Sequence, residues 1–414
     1  MLSLVGPRAA AAAVLLAAAV GLASCASSPP PRLQEPTGDP NPAEIRVVAP
    51  PPLSEVDLKD ILALPSAPIP ASRESVSPST AVILVVVDGV RWQDVFQGPD
   101  EALARRQWML GKLPRPAELL PTIHTRFFAG GAVLGGKGAP FVASGPVFVS
   151  LPGYLEIMTG HSRSGCMTNL CEAVSEPTLA DEVRGLPDVK QDDVAVISSW
   201  EVIDRAAALD PSRIVVSAGR HGGATRARTR VSDAAKQAFD EGELSVPFPG
   251  GFDYRPDRYT APLALAYLAE RAPRFLFVGL GDPDEYGHGN DYPRYLESLQ
   301  AADRFLRALF QTLEGMGEYG KGATVIVTSD HGRAKDFRNH GKAPESARTF
   351  LLAAGAGIPA RGSVSLPQPR RLADIAPTIR VLLGLPPSER EGQGAPLGLV
   401  LQAPLDRGPF ASAR

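Results

Sequence analysis

The chain contains six histidines, and two of them, His331 and His340, fall within one short stretch, "SDHGRAKDFRNHG". Asp330 immediately precedes the first. Neutral imidazoles and carboxylates converge on divalent cations, so the stretch reads either as a polar loop or as part of a metal site. Upstream, "GDPDEYGHG" sets Asp284 and His288 four residues apart, which puts both on one side of a helical turn. "VVVDGVRW" carries Asp88 directly after an apolar run, and "FVSLPGYLEIMTGHS" carries Ser150 ahead of Pro152. A serine hydroxyl is almost un-ionised at neutral pH and needs activation to act as a nucleophile. A bound dication provides it by lowering the pKa several units, as for metal-bound water, which drops to about 7.

These residues need elements to hold them. "AVILVVVDG", "DVAVISSW", "RFLFVGLGD" and "ATVIVTSDHG" are continuous apolar runs of the kind found in strands buried on both faces. Between the last two, "YLESLQAADRFLRALFQTL" places Leu296, Leu299, Phe305, Leu306, Leu309 and Leu313 on one side of a helix. Alternating strands and helices predict an α/β domain, a three-layer α/β/α sandwich with a largely parallel central sheet. Three of the strands end in acids: Asp88, Asp282 with Asp284, and Asp330. Ligands of open α/β sheets bind beyond the carboxyl ends of strands, so these carboxylates would meet at one edge. Like charges that close are costly unless compensated, and a pair of metal ions compensates them.

Composition sets the boundaries. A formal net charge of −3, with 44% hydrophobic and 21% charged residues, argues against a nucleic-acid binder held by long-range electrostatics. Residues 1–25 read as a secretory leader. Leu22, Ala23, Ser24 and Cys25 resemble a bacterial lipobox, which implies cleavage before Cys25 and lipidation of its thiol. The expected product is an exported lipoprotein of the cell envelope. Ala26 suits the outer membrane by analogy, with the protein facing the periplasm or the surface. Residues 26–79 are dense in Pro, Ser and Ala and read as an extended spacer. Residues 80–414 are then the folded domain. Cys166 and Cys171 read as a local disulfide in an exported chain; a thiolate metal pair is the rival reading, without evident partner ligands.

The motifs around Asp88, Ser150, Asp284–His288 and Asp330–His340, in this order, resemble the alkaline phosphatase superfamily, and within it the phosphodiesterase and nucleotide pyrophosphatase branch. The late "LADIAPTIRVLLGLP" resembles that superfamily's C-terminal helix. The resemblance implies an alkaline phosphatase-like fold with two divalent ions, zinc foremost. Asp284, His288 and His340 would hold one; Asp88, Asp330 and His331, with the Ser150 oxygen, would hold the other. It also implies a phosphoserine intermediate on Ser150, with Asn169 donating a hydrogen bond to a phosphate oxygen. The implied activity is hydrolysis of phosphate esters, diesters or pyrophosphates ahead of monoesters, on a small-molecule or lipid-like substrate. The alternative is a catalytically silent relative that binds envelope polymers or anionic ligands.

Departures narrow the reading. Sulfatases of this superfamily need Arg four residues after the nucleophile, where Tyr154 stands. Phosphoglycerate mutases carry a large second domain, for which the span from Ser150 to Asp284 is short. Leu151 replaces an aromatic residue common in nucleotide-cleaving members. Asp282 falls two residues early for the motif and reads as a supporting or loop residue, and Arg91 as a surface ion pair. Arg333 and Lys335 read as a solvated rim, Asp303 as a packing or hydrogen-bonding group on its helix. His124, His161 and His221 read as structural or surface residues.

Overall fold

Unbroken runs of β-branched residues nucleate the centre of the sheet. In the computed structural model, which describes residues 81–401 apart from 163–164, 222–230, 367 and 389, Ala81–Val87 forms strand β1 with every residue buried. The leader with Cys25, the spacer 26–79 and residues 402–414 lie outside the described residues. Later strands are β2 (Ala132–Leu134), β3 (Phe141–Val142), β4 (Val194–Ser198), β5 (Val215–Ala218), β6 (Phe275–Leu280), β7 (Ala323–Thr328), β8 (Arg348–Thr349), β9 (Leu351–Gly355), β10 (Gly362–Ser363) and β11 (Arg370–Arg371). Eight of them form one sheet in the order β10-β2-β9-β7-β1-β6-β4-β5. Strand β1 pairs in parallel with β6 and β7, and β4 with β5 and β6. Only β9 runs against its neighbours, β2 and β7. A second small sheet, β11-β3-β8, has no counterpart in the sequence pattern, because its strands are two residues long.

Both faces of the sheet are covered. On β1, Ile83, Val85 and Val87 join one apolar cluster while Val82, Leu84 and Val86 join the other, the alternation a strand imposes. Helices α1 (Ser150–Thr159), α2 (Asp257–Arg271), α3 (Asp282–His288), α4 (Tyr292–Gly315) and α5 (Ile375–Leu383) carry most of the argument below. Helices α2 and α4 pack on the first face, α1 and α5 on the second. The six apolar residues expected along α4 are all buried. Between Ser150 and Asp284 the described residues add β4, β5 and β6 to the central sheet and build no second domain. Strands β1, β6 and β7 end at one edge, and the next residues, Asp88, Asp282–Asp284 and Asp330, carry the site there.

Candidate metal centre

Three strand tips are laced together by hydrogen bonds that backbone amides donate. The Asp88 N–H donates to the Leu280 carbonyl at 2.8 Å, joining the ends of β1 and β6. The Gly89 N–H donates to Asp330 Oδ1 at 3.2 Å and the Val90 N–H to Ser329 Oγ at 3.0 Å, joining β1 to the segment after β7. Gly89 has φ +64°, and a Cβ there would sit 2.1 Å from Asp284 Oδ1. Only glycine lets the β1 turn and the Asp284 carboxylate come this close. Ser150 opens α1, following Val149 in extended backbone. Its Oγ lies 3.4 Å from Asp88 Oδ1 and 3.3 Å from His331 Nε2.

The expected ligands gather around that hydroxyl. His331 Nε2 is 3.4 Å from Asp88 Oδ1 and 3.3 Å from Asp330 Oδ2. His331 Nδ1 lies 2.9 Å from the Gly332 carbonyl and His340 Nδ1 2.7 Å from the Phe148 carbonyl. A carbonyl only accepts, so both Nδ1 atoms carry the proton and both Nε2 atoms present a lone pair to the cluster. His340 Nε2 is 3.0 Å from His288 Nε2, which is 3.1 Å from Asp284 Oδ2. Asp88, Asp330 and His331 offer one ligand atom each within 4.8 Å of one another, and so do Asp284, His331 and His340. His331 thus stands between the two groups, its ring stacked on His340 at 4.1 Å, where the resemblance assigned it to one alone.

Electrostatics test whether cations suit this donor set. Asp88, Asp284 and Asp330 are buried, and Asp330 Oδ2 has no hydrogen-bond partner. Burial, then the charges of Asp330 and Asp284, push the Asp88 carboxyl far up. Burial, then Asp284, does the same to Asp330, while burial and His340 drive His331 well below its ordinary value. Burial would raise Asp284 too, but the Arg333 guanidinium and His288 hold it well below the carboxylate range. Without added positive charge, burial favours the protonated form of Asp88 and Asp330 and the neutral form of His331 and His340, while the bond to Asp284 pushes His288 up. Oxygen and neutral-imidazole donors suit Zn²⁺, Mn²⁺ or Fe²⁺, and the residues present fit a divalent pair.

The cleft beside Ser150 is lined by Asp88, Asn169, Trp200, Tyr254, Gly281, Asp284, Glu285 and His288. Asn169 Oδ1 accepts the Leu151 N–H at 3.1 Å, which orients its amide. Cys166 and Cys171 are joined as a disulfide, Cα atoms 5.5 Å apart, framing that asparagine. Burial, then Asp284, pushes the Glu285 carboxyl up to about 7.

Several supporting residues escape a reading by motif. Tyr154, which marked a departure from sulfatases, donates its hydroxyl to Asp88 Oδ2 at 3.0 Å. Arg333 is no solvated rim: it is buried, ion-paired with Asp284, and donates to the carbonyls of Phe337 and Arg338. Arg91 is likewise buried, between Asp94 at 3.5 Å and Asp100 at 2.9 Å. Asp282 supports the site through Asp257. Asp257 accepts the N–H groups of Gly281 at 2.8 Å and Asp282 at 3.0 Å, while Asp282 Oδ1 accepts the Asp257 N–H at 3.1 Å and the Tyr254 hydroxyl at 2.5 Å. This clasp sets the start of α3, hence Asp284 and His288. Asp303 accepts the amides of Thr122 and Ile123. His124 stacks on Phe128, His161 meets the Glu391 carbonyl and His221 meets Asp253.

Comparison with known proteins bears on part of this region. Residues 257–387 match the family model of the metalloenzyme superfamily, a stretch holding Asp284, His288, Asp330, His331 and His340 but neither Asp88 nor Ser150. The 2,3-bisphosphoglycerate-independent phosphoglycerate mutase of a Cyanothece species is 30% identical over 197 residues, 40% of this chain and 35% of that protein. The enzyme of the same name from Thermomicrobium roseum is 31% identical over 169 residues, 37% and 30% of the two chains. The chain therefore spans about a third of the length of these curated relatives. Among solved structures, the lipoteichoic acid synthase LtaP from Listeria monocytogenes has TM-score 0.51 at 13% identity, covering 84% of this chain and 81% of that one. The phosphonate monoester hydrolase of Agrobacterium radiobacter has TM-score 0.50 at 15% identity, covering 78% and 77%. At these identities the likeness is one of architecture: the chain has an alkaline phosphatase-like α/β fold.

Proposed function

We propose that the protein is a two-metal hydrolase of phosphate esters that works through Ser150, preferring diesters or pyrophosphates to monoesters. One observation carries the reading: a single hydroxyl, Ser150 Oγ, lies within 3.4 Å of both Asp88 and His331 at the edge of the carboxylate–imidazole cluster. Asp284, His288 and His340 on one side, and Asp88, Asp330 and His331 on the other, would hold two divalent ions, zinc foremost, that lower a hydroxyl's pKa and offset charge on the departing oxygen. Ser150 attacks phosphorus in line, the bond to the leaving alcohol or phosphate breaks, and the phosphoryl group is carried on the serine. Water then attacks that phosphoserine and restores the hydroxyl. Asn169, fixed through its oxygen by the Leu151 amide, keeps its NH₂ for a phosphate oxygen. The N-terminal turn of α1 adds its partial positive charge at Ser150.

The preference for diesters rests on the cleft lining, where the described residues include Glu285 and no Lys or Arg. A monoester dianion would bring that carboxyl one more negative charge than a diester does, a penalty that grows as Glu285 ionises above about pH 7. We place the protein in the bacterial envelope, tethered through a lipidated Cys25. The relatives named as mutases match about two fifths of this chain, and their activity is not carried over to it.

The test compares bis-nitrophenyl phosphate with nitrophenyl phosphate for the parent and Ser150→Ala, with and without chelator. Expected are faster diester cleavage, loss of activity in chelator, and at least a ~10³-fold lower kcat in the alanine variant. Full activity in Ser150→Ala would refute the mechanism. Retained zinc with no cleavage of either ester would favour a binding protein instead.

A further inference from the structure

Ten large apolar side chains are exposed among the described residues, and eight of them sit in three segments, each tied to the cleft lining or to the residues of and just beyond α3. Trp108 and Leu110 follow Gln107, whose Nε2 donates to the Asn290 carbonyl at 2.7 Å, just beyond His288. Met167 and Leu170 flank Asn169. Leu244, Val246, Phe248 and Phe252 lie on the segment that leads into Tyr254, and Phe248 rests on Tyr286 of α3 with ring centroids 5.9 Å apart. Single exposed apolar residues are ordinary; their confinement to the margin of one cleft is not. Exposed Arg106 and Lys112 bracket the Trp108–Leu110 tip in sequence. Aromatic and aliphatic tips with adjacent basic residues suit the boundary between water and acyl chains.

We infer that this margin seats on a lipid layer, so that the esters reaching Ser150 are those presented at a membrane surface. The inference rests on the proposed hydrolase reading and names its substrate class. The expected tether permits it. Residue 81 begins β1 at the edge of the sheet opposite the site, so the cleft points away from the attachment. A globule of about 320 residues is roughly 50 Å across. Residues 26–80 can span at most ~180 Å of chain, enough to turn the cleft toward the layer in which Cys25 would be anchored. A second copy is the competing occupant, which sedimentation tells apart from a lipid layer.

The three tryptophans are Trp92, Trp108 and Trp200, of which Trp108 is 84% exposed. The full-length chain is therefore mixed with phosphatidylcholine vesicles containing a fifth phosphatidylglycerol, with and without bromine on the acyl chains. Seating predicts loss of roughly a third of the emission on brominated vesicles, and little loss in Trp108→Ser. Unchanged emission in the parent overturns the inference, and so does unquenched protein that dimerises through the margin in sedimentation. A second arm uses a headgroup-labelled phosphatidylethanolamine in the same vesicles. Trp108→Ser with Phe252→Ser should cut its cleavage by at least ~10-fold and leave kcat/KM for soluble bis-nitrophenyl phosphate within ~2-fold; equal effects on both substrates overturn it. Failure of the parent to cleave the soluble ester defeats the hydrolase reading instead, whatever the quenching shows.

Discussion

Arg333 offers a quantitative test of the electrostatics. Its guanidinium is buried against Asp284 and donates to two carbonyls of the loop that carries His340. Arg333→Met keeps the apolar stem and removes the charge, leaving Asp284 buried beside Asp88 and Asp330. Breaking a buried pair by removing one partner costs about 3–5 kcal/mol. With an unfolding entropy near 2.1 cal/mol/K per residue over about 320 residues, that cost lowers Tm by ~4–7 °C. A divalent cation beside Asp284 would replace the lost charge, so the difference should shrink by roughly half when metal is bound. Calorimetry of parent and variant, in chelator and in excess zinc, measures both numbers. A variant melting within ~1 °C of the parent in chelator would show that Arg333 does not compensate Asp284. An equal difference in both conditions would show that no cation reaches Asp284.

Asn169→Ala should lower kcat by about 10²–10³ through loss of a transition-state donor, with a small change in KM and zinc content unaltered; steady-state kinetics on bis-nitrophenyl phosphate decide it. Asp257→Ala removes the acceptor of the Gly281 and Asp282 amides, so zinc titration should show one centre weakened by about 10–100-fold, as for other residues that orient ligands. His124 gives a pH prediction. Burial, opposed by a hydrogen bond that the ring donates to the Val95 backbone, holds its imidazole below 6.5. As pH falls through 6.5 the unfolded chain takes that proton first, so His124 withdraws stability on acidification. Urea midpoints at about pH 7.5 and about pH 5.5 should lie closer together in His124→Gln than in the parent.

What the sequence disclosed follows from how local each signal is. The strands that carry ligands are runs of six or seven buried residues, and a parallel strand buried on both faces cannot avoid such a run. Helix α4 is legible because one stripe of a long helix must be apolar. Strand β9 was not, since "LLAAG" is built from leucine and alanine and shows no β-branched signature. Strand β5 was missed because it spans only four residues. The ligand types and their order were readable because donor chemistry is written in residue identity. The supporting shell was not. Arg333 and Asp284 are 49 positions apart, Tyr154 and Asp88 are 66, and nothing local marks a polar side chain that will be buried against a distant partner. Gly287 is one retrospective clue: a Cβ there would lie 2.3 Å from Arg333 Cζ, so the glycine between Asp284 and His288 makes room for that guanidinium.

The most direct measurement is zinc stoichiometry: elemental mass spectrometry of chelator-stripped protein, reloaded with zinc and desalted, for the parent, Asp88→Ala and His288→Ala. The account predicts two equivalents per chain in the parent and one in each variant, because the two residues belong to different centres. Fewer than two in the parent, or two retained in either variant, would contradict it.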